Sequence, residues 1–179
     1  MTEYRATIEW ENKGEGFLSG KYSREHTWNF DGGMRIAASP SPSKVPVPYS
    51  NPAFVDPEEA FVAAVSSCHM LTFIYLASQK GILIERYIDE AIGYMTQNEK
   101  GTPWIGLVVL NPKLTFGGGN SVSVEEIEAL HHLAHEQCYI AIQLSLKCGL
   151  FLHARHNELP DIEIRHYSMD SILFGIANL

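Results

Sequence analysis

The sequence contains little cysteine, no run of basic residues and no long uninterrupted apolar stretch. Three cysteines in 179 residues are too few for a secreted disulfide framework, so a reducing cytoplasm is the expected compartment. The net charge of −8 without clustered lysine or arginine argues against a nucleic-acid partner. Because no run of about 18 apolar residues occurs and residues 1–10 are polar, neither a membrane-spanning helix nor a signal peptide is expected.

Alternating apolar and polar residues mark the first part of the chain. Residues 4–10 predict a half-buried strand, and residues 21–30 and 34–38 predict two further strands. Residues 39–57 hold six of the nine prolines, so neither a helix nor a strand ladder is expected there. This segment is typical of a stiff surface loop rather than of a linker between domains.

Two helices carry clear start signals. Asp56 is a good N-cap, Pro57 suits the first helical position, and residues 60–77 are apolar on nearly every side, which predicts a buried helix. Ser123 and Glu126 form the spacing of a capping box at the start of the second helix. Its apolar stripe is predicted to consist of Ile127, Leu130, Ala134, Cys138, Ala141 and Ile142.

Strands surround these helices in an order that indicates an α+β fold. Residues 82–97 and 104–116 predict two long strands joined by a turn at residues 98–102. After residue 145 the pattern is mixed, although residues 161–166 alternate as a strand does.

Cys68 and Cys138 lie near the middle of the two predicted helices, on their packing sides. A free cysteine on an apolar helix is usually a small hydrophobic side chain, and each residue alone favours that interpretation. Taken together, two helices that pack against each other could bring the two sulfurs within disulfide reach. A buried dithiol in a reducing compartment indicates redox chemistry.

Arg24 shares a face of the second predicted strand with aromatic residues, and a buried charge there needs a partner. A carboxylate, water at the end of the side chain, or a thiolate made nucleophilic by the guanidinium would serve equally well. Glu58 is a candidate to hold Arg24, although an acidic residue in a first helical turn also complements the helix dipole. Glu58 and Cys68 are separated by about 15 Å of straight helix, so contact with both would require an irregular helix start.

A metal site is the competing hypothesis for the second helix. His131, His135 and Cys138 follow one another at spacings of four and three, and His69 lies beside Cys68. Since no CxxC or HExxH signature accompanies them, we rank metal binding below a dithiol.

Several motifs resemble those of the OsmC/Ohr family. Residues 56–69, DPEEAFVAAVSSCH, are similar to the first cysteine helix of that family, and residues 134–141, AHEQCYIA, to its second. Residues 21–33 and 47–52 resemble the N-terminal sheet and loop of an OsmC-like branch. The match covers roughly residues 3–141 in family order, and both cysteine motifs occur together with the arginine.

The resemblance implies an OsmC-like fold of antiparallel sheets around two central cysteine-bearing helices, in an intertwined homodimer. It implies reduction of organic hydroperoxides, with Cys68 as the peroxidatic and Cys138 as the resolving cysteine. Arg24 would stabilise the thiolate, in its own or the partner subunit, and Glu58 would orient Arg24. No metal or other cofactor is expected, and an external dithiol, lipoyl-linked in some members, would restore the enzyme.

The sequence departs from the family pattern near its end. We therefore expect an OsmC/Ohr-like domain at residues 1–145 and a divergent segment at residues 146–179, which includes Cys148. The segment could replace a closing strand, be an addition, or result from an altered reading frame. The alternative functions are a redox-sensing or ligand-binding dimer without enzymatic activity, and the metal-binding protein described above.

Overall fold

The computed structural model forms two compact units, Met1–Ala60 and Phe61–Leu179. The residues that it describes are 2–118, 122–140 and the strand segments 147–150, 153–154 and 166–167. The predicted stripe residues Ala141 and Ile142 lie outside them.

The first unit contains a three-stranded antiparallel sheet with the order β1-β2-β3. Its strands are β1 (Ala6–Glu9), β2 (His26–Phe30) and β3 (Arg35–Ala38), and a short 3-10 helix lies at Phe17–Ser19. Ile8 pairs with Trp28, and Trp28 pairs with Ile36. The three predicted strands are confirmed, but the half-burial predicted for the first is wrong. All four β1 residues are exposed because neither face of this strand is covered in the single chain.

Helix α1 spans Pro57–Gln79 and begins as its capping residues predict. Asp56 accepts a hydrogen bond from the Glu59 amide at 2.7 Å, and the Glu59 carboxylate accepts one from the Asp56 amide at 3.3 Å. These reciprocal bonds satisfy backbone donors that the helix start would otherwise leave free.

The expectation that α1 is buried on all sides is wrong for the single chain. Its buried residues recur at every fourth position, namely Val65, His69, Phe73 and Ala77. On the opposite side Leu71 is 62% exposed and Tyr75 is 60% exposed. The apolar composition therefore covers two faces, of which this chain buries one.

By length and mean hydropathy, 1.7 over its most apolar window, α1 could also cross a membrane. The sequence expectation of no spanning helix rested on uninterrupted runs, and Ser66, Ser67 and His69 interrupt this one. Core helices of soluble proteins pass the same test, so length and hydropathy alone are weak evidence for a membrane span.

The second unit contains two sheets against which α1 packs. Its central strands are β4 (Ile84–Asp89), β5 (Ile92–Gln97), β6 (Pro103–Leu110) and β7 (Pro112–Phe116). One sheet has the order β10-β8-β6-β5 and the other β4-β7-β9, where β8 is Lys147–Leu150, β9 is His153–Ala154 and β10 is His166–Tyr167. A Cβ atom on Gly93 of β5 would lie 2.5 Å from Val62, so glycine at this position allows α1 to approach the sheet closely.

The two long strands predicted from the sequence are each divided into two. β5 pairs with β6 in one sheet, and β4 pairs with β7 in the other. Both arms of the long hairpin therefore pass from one sheet to the other at matching positions along their length. The Asp89 carboxylate, at the end of β4, accepts a hydrogen bond from the amide of Asn111, between β6 and β7. This bond links the break in one arm of the hairpin to the break in the other. The predicted turn at residues 98–102 is confirmed, since the Asn98 side chain accepts hydrogen bonds from the Lys100 and Thr102 amides.

Helix α2 spans Val124–Gln137 and opens with the predicted capping box of Ser123 and Glu126. Its buried residues Ile127, Leu130 and Ala134 form a cluster with Phe73 and Ala77 of α1. Ile140, after the end of α2, packs instead on a cluster that includes Val65, near the start of α1. The two helices therefore run in opposite directions.

The C-terminal segment contributes short strands to both sheets. β8 (Lys147–Leu150) runs parallel to β6, β9 (His153–Ala154) runs parallel to β7, and β10 (His166–Tyr167) pairs with β8. Most of the strand predicted at residues 161–166 lies outside the described residues. The proposed division at residue 145 stays a prediction, although β8 directly extends the sheet of β5 and β6.

Candidate functional site

Arg24 lies in an aromatic cavity of the first unit. The cavity has a volume of about 480 Å³ and is lined by Trp10, Phe17, Tyr22, Arg24, His26, Pro40 and Pro57. The Arg24 guanidinium lies 4.2 Å from the centre of the Tyr22 ring, and its Nη1 donates to the Tyr22 carbonyl at 3.1 Å. This cation–π contact holds a permanent positive charge inside an otherwise apolar wall.

The prediction that Arg24 lies on a strand is wrong by two residues. β2 begins at His26, and the Arg24 amide donates to the carbonyl of Tyr49, in the proline-rich loop, at 3.0 Å. Because this loop, and not a neighbouring strand, supplies the backbone partner, Arg24 lies before the hydrogen-bonded strands of the sheet. Pairing with a distant loop leaves no local signal in the sequence.

Glu58 lies in the first turn of α1 and is partly buried. Within residues 2–60 no ion pair joins Glu58 to Arg24. The position agrees with stabilisation of the helix dipole, as the sequence already allowed.

Cys68 is a partly buried free thiol on α1. It lies between the buried stripe that contains His69 and the exposed face that contains Leu71. The Cys68 carbonyl accepts a hydrogen bond from the Thr72 hydroxyl at 3.0 Å, in addition to its place in the helix. Such a position gives a thiol partial access from outside the single chain, which an inert core cysteine lacks.

Cys138 is fully buried, but it does not lie in the middle of a helix as predicted. It is the C-cap of α2, with an extended backbone, and its amide donates to the His135 carbonyl at 3.4 Å. Because this bond reaches back three residues instead of four, the last turn is tightened and the helix ends at Gln137, one residue before Cys138. The burial of Cys138 agrees with the predicted packing side, although the residue lies beyond the end of the helix.

A buried pair of histidines joins the two helices beside Cys68. His69 Nε2 and His131 Nδ1 are 2.9 Å apart, and Phe73 stacks on the His131 ring at 4.1 Å between ring centres. The outer nitrogens, His69 Nδ1 and His131 Nε2, have no partner among the described residues. The alternative prediction of a metal site with His69 and His131 among its ligands is not supported, because the described residues contain no group of three side chains placed to hold a metal ion.

Burial keeps both of these rings neutral. Desolvation, with a smaller contribution from His135, lowers the pKa of His69 from 6.5 to about 4. Desolvation and the neighbouring His69 lower the pKa of His131 to about 2. A proton on either ring would be a buried charge without a counterion.

We expect acid to destabilise the protein through this pair. Between pH 6.5 and about 4 the unfolded chain binds a proton at position 69 that the folded chain does not, so stability falls as the pH falls. The loss attributable to His69 alone is roughly 3 kcal/mol in the free energy of unfolding. Urea unfolding at a series of pH values measures it.

The matched control is the double variant His69→Leu/His131→Leu, which removes both partners and leaves neither unsatisfied. Its stability should lose much less over the same pH window. Asp89 contributes in the opposite sense, because burial raises the pKa of its carboxyl. An acid-induced loss equal in both proteins would show that the histidine pair is not its cause.

A second polar contact anchors α1 two residues before Cys68. The Ser66 hydroxyl donates to the Asp89 carboxylate, at the point where the chain changes sheet. Sequence reasoning missed both this contact and the histidine pair. Because α1 is apolar on nearly every side, its sequence does not show which face is buried and gives no signal that places His69 inside.

With this geometry established, the comparisons identify the family. The model of a family described as OsmC-like protein matches residues 50–150. The chain belongs to the OsmC-like protein family. The resemblance and the predicted α+β, OsmC-like fold are thereby confirmed, and α1 is the core helix of this soluble fold rather than a membrane span.

Solved structures support the same assignment for this OsmC-like chain. An OsmC-like protein of unknown function from Vibrio cholerae is 46% identical, with a TM-score of 0.82, and the match covers 87% of this chain and 100% of that one. No curated protein matches the chain.

Organic hydroperoxide resistance proteins share the OsmC-like fold at lower identity. The protein from Elizabethkingia anophelis is 18% identical with a TM-score of 0.62, over 88% of this chain and 98% of that one. The protein from Legionella pneumophila is 16% identical with a TM-score of 0.62, over 84% and 96%. At these identities the likeness shows the fold alone.

Proposed function

We propose that this OsmC-like protein is a cysteine-based peroxidase that reduces organic hydroperoxides. The observation that carries the proposal is the partly accessible thiol of Cys68 on α1, together with a second, buried cysteine, Cys138, at the end of the helix that packs on α1, in a chain of this family. Proteins of the same fold are named for resistance to organic hydroperoxides, which supports the substrate class.

The chemistry begins with the Cys68 thiolate. Its sulfur attacks the distal oxygen of the hydroperoxide, the O–O bond breaks, and the alkoxide leaves as an alcohol after gaining a proton. Cys68 becomes a sulfenic acid. Cys138 then condenses with it, forming a disulfide and releasing water. An external dithiol, for which a lipoyl-linked dithiol is the candidate, reduces the disulfide by exchange.

Arg24 is the proposed source of positive charge for this step. A guanidinium beside a thiol favours the thiolate, and it also stabilises negative charge on the departing oxygen. The Tyr22 contact and the aromatic cavity provide a pre-arranged position for that charge. The proposed role is the same for Arg24 acting on Cys68 of its own subunit or of the partner.

Glu58 is proposed to orient Arg24. Since no ion pair joins these side chains within residues 2–60, this role requires a side-chain movement or an arginine from the partner subunit. Glu58 is therefore assigned a supporting role and not a contact with the peroxide.

A homodimer is the proposed form of the enzyme. The uncovered face of α1 presents Leu71, Ile74 and Tyr75 to solvent in the single chain, and β1 exposes Ile8. Burying such a face against a second copy would complete the burial that the apolar helix predicts. The proposed location is the cytoplasm, where a reducing environment keeps the thiols free.

Single-turnover kinetics tests the proposed activity. We expect reduced protein to consume about one equivalent of cumene hydroperoxide, to lose two thiols per chain and to recover both on treatment with a dithiol. Loss of peroxide would be followed by a colorimetric assay and thiols by a titration reagent. Thiols that react only after unfolding would contradict the proposal and favour a non-enzymatic protein.

A further inference from the structure

The Arg24 guanidinium has hydrogen-bond donors that the first unit leaves unused. Its Nη1 donates to the Tyr22 carbonyl at 3.1 Å, and its Nη2 donates to the Gly20 carbonyl at 3.5 Å. These contacts, with the stacking on Tyr22, fix the plane of the guanidinium. Over the part of the chain that the structure describes, no carboxylate forms an ion pair with it. The remaining N–H groups of a permanent cation are therefore left for a partner from outside the unit.

The walls around this cation are aromatic. The rings of Trp10, Phe17 and Tyr22 form a cluster with 4.9 to 5.7 Å between ring centres, in tilted and edge-on contacts. Trp10 is held in place because its Nε1 donates to the Ser23 carbonyl at 2.9 Å. Tilted and edge-on contacts are favourable for aromatic rings, so such a cluster can accept a further ring. The volume of about 480 Å³ is that of a small-molecule site.

A neighbouring polar cavity of the same unit has a different balance of charge. Its volume is about 720 Å³, and its walls include Glu9, Glu25 and Arg35. Arg35 lies 3.8 Å from the Glu9 carboxylate, and Glu25 accepts a hydrogen bond from the Asn51 side chain at 3.0 Å, so these groups have partners in the chain. The described residues that line the aromatic cavity include no aspartate or glutamate. Charge complementarity therefore favours an anionic ligand in the aromatic cavity.

We propose that the aromatic cavity is a binding site for a small aromatic carboxylate. The ring of the ligand would lie against Trp10 and Phe17, and its carboxylate would accept two hydrogen bonds from Arg24. Paired, charge-assisted hydrogen bonds of this kind are among the strong contacts of a guanidinium. The inference does not rest on the proposed peroxidase function, because the cavity and every residue used in the argument belong to the first unit.

Isothermal titration calorimetry of the reduced full-length protein at neutral pH tests the site with three probes. 2-Naphthoate has both the rings and the charge, 2-naphthamide has the rings without the charge, and decanoate has the charge without the rings. Two variants locate the bound probe. Arg24→Met removes the guanidinium of the aromatic cavity and keeps a long apolar side chain, whereas Arg35→Met, the matched control, removes a guanidinium of the polar cavity.

We expect 2-naphthoate to bind the unmodified protein with a dissociation constant of about 10–100 µM. Replacing the probe by 2-naphthamide or decanoate, or Arg24 by methionine, should weaken binding by about tenfold or more. Arg35→Met should change the dissociation constant by less than about twofold.

Equal affinity for 2-naphthoate and either of the other probes would overturn the inference, as would undiminished binding to Arg24→Met. If Arg24→Met fails to fold, the comparison of the three probes on unmodified protein decides. Absence of binding would overturn the inference and leave the proposed peroxidase function in place, since the measurement contains no peroxide.

Discussion

Replacing Cys68 with serine is expected to abolish hydroperoxide reduction, whereas replacing Cys138 with serine stops the cycle after one turnover. A serine hydroxyl is not ionised near neutral pH and cannot replace the thiolate as nucleophile. In Cys138→Ser the first step is intact, so about one equivalent of peroxide is consumed. The sulfenic acid then persists because its resolving partner is missing.

Cys148→Ser is the matched control, since the same substitution is made on β8, at a cysteine without a proposed role. It should consume peroxide and cycle with a dithiol as the unmodified protein does. Peroxide consumption by Cys68→Ser at the unmodified rate would contradict the assignment of the nucleophile. Full cycling by Cys138→Ser would contradict the assignment of the resolving residue.

Replacing Arg24 with alanine is expected to lower the rate constant for cumene hydroperoxide by about 10²–10³-fold. The variant removes the guanidinium that lines the aromatic cavity of the first unit. Arg24→Lys should recover only part of the loss, because an ammonium keeps the charge but not the planar fork or the stacking on Tyr22. Single-turnover kinetics at fixed pH measures both effects.

Arg5→Ala is the matched control for charge, since Arg5 is exposed and pairs with Glu3 near the chain start. It should leave the rate constant nearly unchanged. Thermal unfolding of all three variants separates a folding defect from a chemical one. A rate constant for Arg24→Ala within about twofold of that for Arg5→Ala would show that Arg24 does not act in the reaction.

The features predicted correctly from the sequence depend on residues close to one another. Each capping box needs residues only three positions apart, which explains why Asp56 and Ser123 mark the helix starts correctly. The buried stripe of α2 likewise follows from spacings of three and four. The family motifs that contain the two cysteines belong to the same local class of signal.

The features that sequence reasoning missed depend on distant partners. The break in the long hairpin needs Asp89 to meet Asn111, and the position of Arg24 needs the carbonyl of Tyr49. The contact between His69 and His131 joins residues 62 positions apart. Nothing in the local pattern records these pairings.

The prediction that α1 is buried on all sides is wrong for a different reason. Apolar residues on all sides of a helix indicate that it will be buried, but not whether its own chain or another provides the cover. Val65 and Phe73 are covered by this chain, while Leu71 and Tyr75 are not. The composition therefore agrees with the helix of a dimer, which supports the proposed assembly.

The most direct test of the proposed mechanism is to identify the disulfide that one equivalent of hydroperoxide produces. Reduced protein would be treated with cumene hydroperoxide, its remaining thiols blocked, and its peptides analysed by mass spectrometry without reduction. The account predicts a single new linkage between Cys68 and Cys138, absent from untreated protein. A linkage that involves Cys148 instead, or three unmodified thiols after the peroxide is consumed, would contradict it.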